Sequence, residues 1–80
     1  MGPPPSPVAR DAVERAAEKL RASGATSVTP PDLFTAANDA AWESGLMLTK
    51  TDVWVAVYEW GGFDYYSNPP SDDTLMALRP

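Results

Sequence analysis

Apolar residues recur through the first part of the chain at three- and four-residue spacing: Val8, Ala9, Ala12, Val13, Ala16, Ala17 and Leu20. That period lays them along one stripe of a helix, with Arg10, Asp11, Glu14, Arg15, Glu18, Lys19 and Arg21 on the other face. Ser6 before Pro7 is a start signal, because serine accepts from a free first-turn N–H and proline has no N–H to leave unpaired. Gly24 supplies the left-handed position that closes a helix, so the pattern predicts one over about 7–23. Arg10–Glu14 and Asp11–Arg15 stand four apart with opposite charge, and each such pair contributes about 0.2–0.5 kcal/mol. The stripe is mostly alanine, so a partner helix can approach closely.

Farther along, one phrase occurs twice. Val28-Thr29-Pro30-Pro31-Asp32-Leu33-Phe34 aligns without gaps on Leu48-Thr49-Lys50-Thr51-Asp52-Val53-Trp54. In each copy the threonine can cap a helix while the aspartate three residues on faces the helix dipole and reaches back to the cap N–H. The apolar residue before each cap meets the one after each aspartate, Val28 with Leu33 and Leu48 with Val53, as a hydrophobic staple. These signals predict helices over about 30–44, closed by Gly45, and about 50–60, stopped at Gly61-Gly62. Val53 to Tyr58 is β-branched and aromatic and reads as a strand on composition alone, but the cap and staple decide for helix. Ser71-Asp72-Asp73 looks like a fourth helix start, with Leu75, Met76 and Leu78 packing back over 72–78.

The fold class is therefore mainly α: a small bundle of three to four short helices with at most a minimal two-stranded bridge near 27–28 and 47–48. A winged-helix-like layout is the alternative. Residues 1–5 read as a disordered proline-rich lead-in, and 6–80 as one small helical domain with an aromatic C-terminal extension. Paired calcium-binding hands have a comparable arrangement, but Ala25-Thr26-Ser27 and Leu46-Met47-Leu48 offer no oxygen ligands at alternate positions.

Composition narrows the chemistry. The chain has no histidine and no cysteine, which removes the commonest general base, thiol nucleophiles and thiolate metal sites. Lys19 and Lys50 have no strained serine turn beside them, and Asp72-Asp73 reads as a helix cap. Gly61-Gly62 lacks the lysine and helix of a phosphate loop. No catalytic residue, metal ligand or cofactor is therefore assigned. The cytoplasm is the default compartment, since no stretch is long and apolar enough for a membrane span and the first residues lack a secretory pattern.

Eleven acidic residues against six basic ones give a net charge of −5. That balance disfavours nucleic acid and suits a partner protein with a basic surface. Six of the eight aromatic residues, Trp54, Tyr58, Trp60, Phe63, Tyr65 and Tyr66, fall within thirteen positions. Trp54, Phe34 and Trp42 are expected to fill the centre of an alanine-rich core. The surplus exceeds what a domain this small can hide, so it should form a protein-binding surface. Trp60, Phe63, Tyr65 and Tyr66 would be its anchors and Glu59 and Asp64 its polar rim. The function expected is a non-enzymatic interaction module (an adaptor, inhibitor or small assembly factor), and such a patch equally suits a homodimer. A helix-turn-helix or winged-helix DNA-binding regulator is the alternative. Against it, Val53 to Trp60 presents no side chain suited to reading base edges.

Overall fold

A computed structural model of the chain describes residues 5–78. The elements run α1 (Pro7–Ala22), β1 (Ser27–Val28), α2 (Pro30–Glu43), α3 (Lys50–Trp60) and β2 (Met76–Ala77). The protein is mainly helical, three helices with one minimal antiparallel sheet. Met1 to Pro4, most of the expected lead-in, lie outside the described residues. Pro5, the first described residue, is buried.

All three helix starts carry the hydroxyl half of the expected cap. The Ser6 hydroxyl accepts from the Ala9 N–H at 3.1 Å, Thr29 from Asp32 N–H at 3.4 Å, and Thr49 from Asp52 N–H at 3.1 Å. Each bond satisfies a first-turn donor that has no partner inside the helix. The caps also settle the third segment as a helix despite its β-branched run. The staple residues Val28, Leu33 and Val53 are buried, and Leu48 packs against them.

The core is aliphatic and shallow. Ala9, Val13, Ala16 and Ala17 from α1 meet Leu33 and Ala37 from α2 and Val53, Ala56 and Val57 from α3. Val28, Met76 and Leu78 close the end nearest the sheet. The largest fully buried side chains are Leu33, Val13, Val53, Val57 and Pro30, none of them aromatic. Phe34 and Trp54 are only half-buried, and Trp42 is 74% exposed. The expectation that these three rings centre the core is corrected, Trp42 most clearly. Tight packing on the alanine face of α1 leaves no space of ring size between the helices.

Two expected elements differ. The stretch 72–78 is not a helix. Ser71 forms a turn, its carbonyl accepting from Thr74 N–H at 3.1 Å and its hydroxyl donating to Asp73 at 2.8 Å. The chain then runs extended through β2. Met76 and Leu78 point inward while Leu75 and Ala77 are exposed, a period of two that suits a strand. A seven-residue helix would have had to bear the cost of nucleation on very few bonds. The bridge partner also differs: β1 forms as expected, but it pairs with β2, Ser27 opposite Ala77 and Val28 opposite Met76. The Leu78 N–H donates to the Thr26 carbonyl at 2.9 Å and extends the ladder. Leu48 is drawn onto the core by its staple, and Met47 stays out, 90% exposed.

Between α3 and β2 the backbone comes very near a side chain. A Cβ on Gly61 would collide with the Met76 sulfur and lie 3.3 Å from Phe63 Cδ2. Gly62 follows at φ +86°, the left-handed conformation that reverses the chain out of α3.

Ion pairs tie the helices from outside. Arg15 pairs with Asp11 at 3.1 Å, as the four-residue spacing suggests. Arg10 instead reaches across to Glu59 on α3 with two bonds of 2.8 Å, and Lys19 reaches Glu43 on α2 at 2.8 Å. The planar guanidinium matches both oxygens of Glu59, a geometry an in-helix Glu14 partner does not provide here.

Leu33→Ala should lower the unfolding free energy by about 2–5 kcal/mol, comparable to the entire stability of a domain this size. Thr49→Ala should cost about 1 kcal/mol. Urea titrations read by far-UV circular dichroism check both. An unchanged midpoint for Leu33→Ala would contradict the core described above.

Candidate functional site

Helix α3 is apolar nearly all round, and Val55 is buried outside the central cluster, so its sides pack differently. Val53, Ala56 and Val57 face the core, and Trp60, one turn beyond Ala56, continues that side. Trp54 and Tyr58, four residues apart, lie together on another side and are half-buried. From them a continuous ladder of rings extends in both directions. Phe34 of α2 stacks on Trp54 with centroids 4.0 Å apart and planes 13° from parallel. Trp54 meets Tyr58 at 5.6 Å, Tyr58 meets Tyr65 at 5.6 Å, and Tyr65 meets Tyr66 edge-on at 5.1 Å. Such spacings lie in the range of favourable aromatic contacts.

The far end of the ladder is held by a small turn. Phe63 N–H donates to the Tyr58 carbonyl at 2.8 Å as the chain leaves α3. Asp64 and Asn68 then bridge through their backbones, the Asn68 N–H donating to the Asp64 carbonyl at 2.8 Å. Inside that loop the Asp64 carboxylate accepts from the Tyr66 N–H and from the Ser67 hydroxyl, each at 2.9 Å. Those donors, the Tyr66 amide first, hold the Asp64 carboxyl below the ordinary aspartate range. Tyr65 and Tyr66 are thus carried on a hydrogen-bonded loop rather than a free tail. Tyr66 is 48% exposed. At the centre of the ladder, burial pushes the Tyr58 phenol up from its usual value, and the nearby Asp72 and Tyr65 push it further the same way.

The six residues expected to form one surface fall into separate surroundings. Tyr65 and Tyr66 join the ladder. Asp64 is the brace of their loop, with both oxygens engaged. Glu59 is held by Arg10. Trp60 and Phe63 pack against the core and line a groove of about 600 Å³ with Gly61, Met76 and Arg21. Sequence reasoning missed Tyr58 and Trp54 as surface-forming rings. The four-residue spacing between them was the available signal, masked because every neighbouring position is also apolar. It also missed a second exposed apolar spot, Trp42 and Met47 beside Leu46, at the turn between α2 and α3.

Among the described residues, no group of three or more carboxylates is arranged to hold a metal ion. No helix among them is long and apolar enough to cross a membrane. No protein-family model, curated protein or solved structure matches the chain.

A carboxyl held low stabilises its loop above the ordinary aspartate range, and that contribution is lost as pH falls through the lowered value. The Tyr66 amide resonance should therefore titrate with a midpoint below that of an ordinary aspartate, and Asp64→Asn should abolish the titration. A midpoint at the ordinary value would mean the loop bonds do not persist in solution.

Proposed function

We propose that the protein is a non-enzymatic interaction module, an adaptor, inhibitor or small assembly factor, that binds a partner protein through the aromatic ladder. The carrying observation is the run of five touching rings from Phe34 to Tyr66, packed on one another and left half-exposed beside the core. Tyrosine and tryptophan offer large contact area at small entropic cost, and rings already braced against one another lose little freedom on binding. The net charge of −5 supports a partner with a basic surface. A cysteine-free acidic chain suits the cytoplasm as its place of work. Glu59 and Asp64 support this surface by fixing α3 to α1 and by shaping the tyrosine loop.

The pairing of β1 with β2 around α2 and α3 favours a second reading, a winged-helix DNA-binding regulator. It ranks below the first because α3 carries one cation, Lys50, at its start, and aromatic rings where base-reading side chains would stand.

Affinity capture from native extract, with and without nuclease, separates the two. A retained protein unaffected by nuclease supports the interaction module, and retention that vanishes with nuclease supports the regulator. The Tyr65→Ala, Tyr66→Ala double variant should keep the native circular dichroism spectrum and bind the captured protein at least about 30-fold more weakly, the loss of one hot-spot ring or more. Unfolding of this variant would place the two rings in the core and end the proposal.

A further inference from the structure

Four of the six basic residues, Arg10, Arg15, Lys19 and Arg21, lie on α1. Three of these are engaged, with Glu59, Asp11 and Glu43. From residue 23 to residue 78 the chain carries eight carboxylates against Lys50 alone. Arg10 and Lys19 neutralise two of them, which leaves Asp32, Asp39, Asp52, Asp64, Asp72 and Asp73. Every ring of the ladder comes from this acidic portion. Ring faces are electron-rich and attract cations, and the surrounding carboxylates add to that attraction.

The ladder is not uniform. Phe34 and Trp54 are stacked nearly parallel and close on each other. Tyr58 and Tyr65 meet less closely, at 5.6 Å with planes 35° apart, and both are half-buried, so each keeps part of its surface open to solvent. Asp64 has both oxygens engaged within its loop, whereas no hydrogen bond to another described residue occupies the Asp72 carboxylate, whose charge bears on the Tyr58 phenol. We infer that this part of the surface takes arginine side chains of the partner, a guanidinium lying on the solvent side of the Tyr58–Tyr65 pair, where the Asp72 carboxylate adds to the attraction. The inference rests on the interaction-module reading and names the chemistry of its partner, an arginine-rich segment.

Arginine is favoured over lysine for a physical reason. A guanidinium is flat and weakly hydrated, so it lies on a ring while its in-plane N–H groups still reach a carboxylate. An ammonium ion is strongly hydrated and cannot do both without losing that water.

Fluorescence anisotropy with labelled peptides tests this on the whole chain. The probes are an alternating arginine–glycine peptide, a lysine–glycine peptide of equal charge, and an uncharged citrulline–glycine peptide. The arginine peptide should bind about tenfold or more tighter than the lysine peptide, and the citrulline peptide should not bind. Tyr65→Ala and Asp72→Asn should each weaken arginine-peptide binding by about fivefold. Tyr58 packs partly on the core, so these two variants carry the test instead of a change at Tyr58. Glu18→Gln, an exposed carboxylate on α1, should leave binding unchanged. Equal affinity for the arginine and lysine peptides, or equal losses in Glu18→Gln and Asp72→Asn, would reduce the effect to net charge and overturn the inference. If no peptide binds while a captured protein still depends on Tyr65 and Tyr66, the arginine inference fails and the interaction reading stands. Capture that ignores both tyrosines removes the interaction reading itself.

Discussion

Ala9, Ala12, Ala16 and Ala17 give α1 a face with almost no side-chain depth, and α2 and α3 both pack on it. The distance between packed helices follows the size of the side chains between them, so this face sets a narrow space. Leucine and valine fill such a space, and an indole or phenol does not. Leu33, Val53 and Val57 therefore occupy the centre, and the aromatic residues of α2 and α3 are displaced to its margins. The half-buried ladder follows from the alanine stripe as much as from the aromatic sequence itself.

The same constraint gives α3 its two characters. A helix apolar on all sides must find burial on several sides or leave one side to another use. Here Val53, Ala56 and Val57 take the shallow core. Trp54 and Tyr58 find partners in one another, in Phe34 and in Tyr65, a lateral packing that recovers part of the burial the core cannot supply. Trp60, carried round to the core side, seals the end of the helix near Gly61. Glycine at that position lets Met76 of β2 reach over the helix end and makes the short sheet part of the same core.

How much of this was legible in the sequence depended on how local the signal was. The helix starts were legible because a cap and its first turn lie within four residues, and Thr29 and Thr49 bond as their spacing implies. The strand β1 was legible for the same reason, standing immediately before a staple. Its partner was not. Met76 and Leu78 alternate with Leu75 and Ala77 over too few residues to separate a strand from a short helix, and strand pairing across almost fifty residues leaves no local mark. Arg10 turning to Glu59 instead of Glu14 is a similar case, since the competing partner is distant in sequence. The ring surface was half legible: Tyr65 and Tyr66 stood out, while Tyr58 and Trp54 were hidden in a helix with no polar side to orient it.

Charge is arranged on the same division of labour. The cations of α1 serve largely to fasten it, one to α3 through Glu59 and one to α2 through Glu43, and exposed pairs of this kind contribute little energy individually. Their larger effect is on the distribution of charge that remains. Once Arg10 and Lys19 are engaged, Asp32, Asp39 and Asp52 of α2 and α3 stand outside any ion pair among the described residues, against Lys50 alone. On the proposed reading, an aromatic face in that setting disfavours acidic partners. The alanine stripe that brings the helices together and the cations beside it thus act in sequence: the first holds the rings at the margin of the core, and the second leaves them beside a portion of the chain rich in carboxylates.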